Sequence, residues 1–104
     1  MIMSVSFSMA TSEPVPEVVS TIKRCREIAN KLRKCDVISV DAEGVNLGKD
    51  GPLTLLQIGT IDGDVYLFDV WTNQNLFNKG KLKTILQSNE IVKVFFVVFI
   101  FDTF

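Results

Sequence analysis

A chain of 104 residues, 47% hydrophobic and 22% charged, is one ordinary globular unit, which excludes a two-domain protein and a disordered tail. Eleven Lys and Arg against twelve Asp and Glu leave a net charge of −1, so the basic field that by itself announces a nucleic-acid binder is missing. The absence of histidine removes His-ligated zinc, Ser-His-Asp and Cys-His catalysis and any His general base, so chemistry here must run on carboxylates.

Residues 1–15, with Ser, Thr and Pro14 and no sustained period, read as a flexible leader without the basic n-region of a secretory signal. From Pro16 the period becomes helical. Val18, Ile22, Cys25, Ile28, Ala29 and Leu32 fall on one face, predicting an amphipathic helix that ends near Lys34. Lys23, Arg24, Arg26, Lys31 and Lys34 line its outer face with Arg33 at the edge; with Lys79, Lys81 and Lys83 they are candidates for phosphate contact, although a charged outer face is the default for such a helix. Cys25 and Cys35 lack CxxC spacing and read as reduced thiols.

At Asp36 the period switches to two. Ile38, Val40 and Ala42 alternate with Ser39, Asp41 and Glu43, as in a strand with one apolar face. Gly44 to Gly51 reads as a turn, Leu53 to Thr60 as a second strand, and Asp62-Gly63 as a hairpin leading into Val65 to Val70. The three strands form an antiparallel meander. Leu76, Phe77, Leu82, Ile85 and Leu86 predict a shorter helix over residues 76–88, with Gly80 as its weak point. From Ile91 the chain is almost wholly apolar and reads as a parallel strand buried on both faces. Its longest uninterrupted apolar run, Val94 to Phe101, is far short of the roughly 20 residues that span a bilayer.

Asp41 and Glu43 emerge on one face at a strand end, about 6 to 7 Å apart along the chain. Paired carboxylates suit hard cations such as Mg²⁺ and Mn²⁺, which activate water and stabilise a leaving oxygen in phosphodiester cleavage. Asp62 and Asp64 have the same spacing but fall in the hairpin turn, where acids serve the turn. Tyr66 belongs to a strand interior and reads as a packed aromatic.

The order helix, Asp36-Val-Ile-Ser-Val-Asp-Ala-Glu-Gly-Val45, Pro52-Leu-Thr-Leu-Leu-Gln-Ile-Gly59, Val65-Tyr-Leu-Phe-Asp69 and Ile91-Val-Lys-Val94 resembles the N-terminal half of a DEDD-type 3′-5′ exonuclease domain. That family includes ribonuclease D and the Werner-syndrome exonuclease, and the Glu43-Gly-Val-Asn46 wording is nearest its Egalitarian-like branch. The resemblance covers about residues 17–94 of a partial domain at 16–104, leaving 95–104 as a divergent apolar tail. It implies an α/β, ribonuclease-H-like fold, here truncated: helix, three-stranded meander, helix and buried parallel strand. It further implies that Asp41 and Glu43 are catalytic metal ligands for Mg²⁺ or Mn²⁺, that Gln57 is substrate-proximal, and that the partner is an RNA or DNA 3′ end. Asp69 stands at a position usually acidic in the family, and a strand-end cap for the loop through Trp71 and Asn73 is its simpler role.

The family's third aspartate, fourth aspartate and His or Tyr base find no counterpart, because the Ile91-Val-Lys-Val94 stretch runs into Phe95-Phe-Val-Val-Phe-Ile-Phe101 and leaves only Asp102. The expected activity is therefore weak or absent in this chain alone. The alternative is a non-catalytic adaptor of the same fold that binds nucleic acid or protein. The apolar end predicts a protein partner or self-association through its strand. The expected location is intracellular, cytoplasmic or nuclear, with no membrane partner and no secretion.

Overall fold

A computed structural model describes residues 15–44 and 51–96. The leader, except Val15, and the apolar tail beyond Phe96, including Asp102, lie outside the described residues, as do 45–50 of the Gly-rich turn. In chain order the elements are β1 (Glu17–Val19), α1 (Ile22–Leu32), β2 (Val37–Gly44), β3 (Leu53–Thr60), β4 (Val65–Phe68), α2 (Asn75–Asn78), α3 (Leu82–Leu86) and β5 (Val92–Phe96). They build one mixed sheet in the order β1-β4-β3-β2-β5, with the helices sharing its single core. The β2-β3-β4 meander is antiparallel, as its hairpin chemistry predicts, and β1 and β5 add in parallel to β4 and β2.

The helix predicted from Pro16 begins later. Val18 and Val19, β-branched and adjacent, pair instead with Leu67 and Phe68 at the open edge of β4. Thr21 then takes an extended conformation (φ −111°, ψ 148°), and its hydroxyl accepts the Arg24 N–H at 3.2 Å, which is what starts α1. Arg24 also ties the two elements together, since its guanidinium grips Glu17 through two bonds of 2.6 and 2.8 Å. From α1 the core receives Cys25, Ile28, Ala29 and Leu32, all buried.

These side chains meet Ile38 and Val40 of β2, Leu56 and Ile58 of β3, and Tyr66 and Phe68 of β4 in one buried cluster. The register puts all six on the same sheet face, because Val40 stands opposite Ile58 and Ile58 opposite Tyr66. At the hairpin Gly63 has φ +96°, and Thr60 N–H and Asp64 O close the turn at 2.9 Å.

The single helix predicted over 76–88 is two. Gly80 is buried where a Cβ would lie 2.5 Å from the Leu76 carbonyl oxygen and 2.8 Å from the Cys25 sulfur, so only glycine lets the chain pass this close to α1. Lys81 follows in the left-handed conformation, φ 73°, and breaks the helix there.

The strand predicted as buried is parallel to β2 but lies at the sheet edge, with Val92, Val94 and Phe95 at 63, 45 and 57% exposure. A long apolar run has the composition of a central strand. Among the described residues, though, β5 pairs on one side only.

Candidate functional site

Alternation along β2 divides its side chains between two faces. Ile38 and Val40 enter the core under α1, so Ser39, Asp41 and Glu43 necessarily project from the opposite face of the sheet. That face also carries Gln57 and Leu55 from β3, which the antiparallel register sets opposite Asp41 and Glu43 respectively. Directly opposed residues of an antiparallel pair have Cβ atoms about 4.5 to 5.5 Å apart, so Gln57 and Asp41 are cross-strand neighbours on this face. On the other flank β5 brings Val94 level with Ser39.

Asp41 is 8% exposed, the one buried charged residue of the described chain, whereas Glu43 is exposed. Among the described residues no Lys or Arg forms an ion pair with either; both ion pairs belong to Arg24, with Glu17 and Glu27. A sheltered carboxylate with no ion-pair partner among the described residues, and a second one two residues along the same strand face, is an oxygen-donor arrangement that suits a hard divalent cation. The two side chains therefore fit such an ion. Among the described residues no group of three or more His, Cys, Asp or Glu gathers into a fuller cage.

The strand end that carries Glu43 is held from below. Thr54 Oγ1 donates to the Glu43 carbonyl at 3.1 Å, and the pairing register shifts between Glu43 and Gly44. Such irregularities end a ladder and re-aim the side chains beside it. Thr54 has no mark in the sequence beyond being a threonine in a strand, which is why pattern reading passes over it.

Asp69 is occupied otherwise. Its carboxylate accepts from the Thr72 N–H at 3.1 Å and the Thr72 hydroxyl at 2.8 Å, bonds that hold its pKa below the ordinary carboxylate value. It caps the loop through Trp71, as its simpler role predicts. Tyr66 is buried on the core face with its ring 6.3 Å from that of Phe68, so the sheet separates its hydroxyl from the two carboxylates. Asp62 and Asp64 are exposed residues of the hairpin.

Among the described residues, a five-stranded mixed sheet with a helical layer on one face makes this a ribonuclease-H-like fold. Residues 16–102 match the 3′-5′ exonuclease family, and the chain belongs to it. The piRNA biogenesis protein EXD1 of Mus musculus is 42% identical over 64 residues, a match that covers 61% of this chain and 11% of the relative. Trypanosoma brucei RNase D, solved in complex with RNA U12, superposes with a TM-score of 0.69 at 30% identity, over 88% of this chain and 32% of its own. The EXD2 exonuclease domain, solved after soaking in Mg and GMP, gives 0.57 at 27% identity over 75% of this chain and 42% of its own. The chain thus spans about a tenth of the curated relative it matches and a third of the RNase D chain. Among the described residues no helix is long and apolar enough to cross a membrane.

Proposed function

We propose that residues 16–104 form a partial, divalent-metal-dependent 3′-5′ exonuclease domain acting inside the cell on the 3′ end of a nucleic acid, with Asp41 and Glu43 as metal ligands. The observation that carries this reading is the shared face of Asp41 and Glu43 at the end of β2, with Gln57 in register opposite Asp41. Asp41 and Glu43 would hold Mg²⁺ or Mn²⁺ there, and the ion would supply Lewis-acid polarisation of a phosphate oxygen and lower the pKa of the attacking water. Asp41, sheltered at the base, offers its carboxylate from the sheet side. Glu43, exposed, completes the pair from the solvent side, and Gln57 offers an amide donor or acceptor to substrate beside them. RNA is the favoured substrate class, since the RNase D relative was solved with RNA bound.

Two carboxylates hold an ion less firmly than the larger acid sets of two-metal nucleases, so turnover by this chain alone is expected to be low. The test is nucleotide release from a 3′-labelled single strand with Mn²⁺, run beside Asp41→Asn and paired with calorimetric Mn²⁺ binding. The reading expects Mn²⁺ binding by the unmutated chain that weakens at least about tenfold in Asp41→Asn, the effect of losing one anionic ligand. Equal Mn²⁺ affinity in the two chains would end it.

A second reading is a non-catalytic adaptor of the same fold. It is favoured by the lack of histidine in the sequence and by the placement of Tyr66 on the far face, so that among the described residues neither a His nor a Tyr base stands beside the carboxylates. Nucleic-acid binding that survives Asp41→Asn without any metal-dependent release would select it. The exposed edge of β5 is the surface through which a protein partner or a second copy would pair in either case.

A further inference from the structure

The helical layer carries a second feature that the carboxylate face does not explain. Between α1 and α3 lies an open cleft of about 140 Å³, walled by Arg26 and Asn30 of α1, by Arg33 at its C-cap and by Lys81 and Thr84. Ala29 and Ile85 form its apolar floor. Arg26 and Arg33 are seven residues apart, two helical turns, and Asn30 falls between them on the same stripe. The sheet stands between this cleft and Asp41, because α1 packs on the face opposite the carboxylates.

Three cations converge here and none of the lining residues is acidic. Among the described residues none of the three makes an ion pair, in a chain whose net charge is −1. The arrangement is held in place. Arg26 donates to the Lys79 carbonyl at 3.3 Å, which anchors its guanidinium across the α2-α3 connection and leaves further N–H groups available. Lys81 projects from a left-handed backbone position (φ 73°) directly after the close-packed Gly80. Like charges gathered without a counterion repel, and Asn30 and Thr84 add neutral donors to the same space. This is the chemistry of an oxyanion site.

Volume narrows the ligand. A cleft of 140 Å³ is well below the roughly 300 to 1,000 Å³ of pockets that enclose a whole small molecule, yet it has ample room for one phosphate group. We infer that Arg26, Arg33 and Lys81 form a phosphate-binding cleft that holds one backbone phosphate of a single-stranded nucleic acid, on the face of the sheet away from Asp41 and Glu43. This rests on the nucleic-acid reading above and deepens it. The strand is gripped at a point remote from where its end is cut, so that a domain with a weak metal site keeps hold of its substrate.

The test uses the full chain and a fluorescent 12-nucleotide single strand in EDTA, read by anisotropy over a range of salt. Arg26→Gln/Arg33→Gln/Lys81→Asn removes the cleft charges, Asn being chosen because it tolerates the left-handed turn. Lys23→Gln/Lys31→Gln/Lys34→Gln removes the same charge from positions of α1 and its C-terminus that are as exposed as Arg26, Arg33 and Lys81 but lie outside the cleft. The cleft variant should lose about tenfold or more in affinity, and its salt slope should shrink by about 0.7 for the lost phosphate contact. The control variant should lose markedly less, and both should melt within a few degrees of the parent. Equal losses in the two variants, no loss in the cleft variant, or no binding by the parent would each overturn the inference. Amide shifts at Asn30 and Thr84 with inorganic phosphate, without any effect of the cleft variant on the oligonucleotide, would also overturn it by assigning the cleft to a free oxyanion. EDTA keeps the metal site out of this measurement, so the exonuclease reading is judged separately by Mn²⁺ binding to Asp41→Asn.

Discussion

Replacing Gly80 with alanine sets two effects of opposite sign against each other. Glycine to alanine near a helix ordinarily stabilises by about 0.4 to 1 kcal/mol, because the unfolded chain loses freedom and the helix gains propensity. Here the new Cβ would lie 2.5 Å from the Leu76 carbonyl oxygen and 2.8 Å from both the Leu76 Cα and the Cys25 sulfur. Two of those three atoms are backbone of α2 itself, so relief requires the chain at residue 80 to swing away from the end of α2 as well as from the Cys25 sulfur of α1, and overpacking of that kind costs about 1 to 3 kcal/mol. The clash prevails, with a net loss of about 1 to 2 kcal/mol. That corresponds to a fall in Tm of roughly 4 to 16 °C for a domain of this size. Thermal unfolding followed by circular dichroism measures it, and a Cys25→Ala background refines it. Removing the sulfur should recover part of the loss while the Leu76 contacts keep the remainder, giving a coupling of about 0.5 kcal/mol or more. A Gly80→Ala chain that melts at or above the parent temperature would refute the close approach of α2 to Cys25.

Thr21→Ala should cost about 1 kcal/mol by removing the hydroxyl that accepts the Arg24 N–H, and denaturant unfolding would register it as a lower midpoint at unchanged slope. The Arg24 guanidinium holds the Glu17 carboxyl below its usual pKa of 4.5. A depressed folded-state value means that this stabilisation is present above the unfolded pKa and is lost as pH falls through the folded one. Glu17→Gln should therefore lower Tm slightly at pH 7 and not at all at acid pH well below 4.5, and the exposure of both partners keeps the effect small. Burial pushes the Cys25 thiol up to about 11, and Cys35, half-buried, is raised chiefly by the same cause. Alkylation at pH 8 should accordingly label Cys35 first and reach Cys25 only when the chain opens, with peptide mass mapping as the readout.

The parts of the fold that pattern made legible are those where one physical signal acts alone. Period-two alternation in Val37 to Gly44 and the Asp62-Gly63 turn placed the meander, and the same alternation put Asp41 and Glu43 together on the face away from α1. Where two signals compete, the pattern misleads. Val18 fits the helical stripe of α1 but pairs with Leu67, because the decisive event is the capping of Thr21 four residues after Glu17, and a cap is local. The apolar run from Ile91 has the composition of a central strand, yet whether a strand is central depends on which neighbours exist on both sides, and no residue of β5 encodes that. The cleft at Arg26, Arg33 and Lys81 was half visible. The cations of α1 are plain in sequence, but their meeting with Lys81 depends on the Gly80 contact, a distance between elements some fifty residues apart.

The position of Asp41 is fixed by residues that have no chemistry of their own. A slip of β2 by one residue would turn Asp41 into the cluster of Ile58, Tyr66 and Phe68 and carry Ile38 and Val40 out to the opposite face. The cost of that slip has two parts. It would expose side chains worth about 1.5 to 3 kcal/mol each when buried, and it would place a carboxylate among apolar atoms with no partner. Both push the same way, so the register that holds Asp41 beside Gln57 is set by Ile38, Val40 and Ile58 and not by any attraction between the site residues. Ile58→Ala, which removes a fully buried side chain at the centre of β3, should then destabilise the fold by about 2 to 5 kcal/mol. Because Asp41 has no independent tether among the described residues, the same change should weaken Mn²⁺ binding in the chains that remain folded. Calorimetry on Ile58→Ala beside Ile58→Val reads this directly. Undiminished Mn²⁺ affinity in a measurably destabilised Ile58→Ala chain would show that the site is held by something other than the core beneath it.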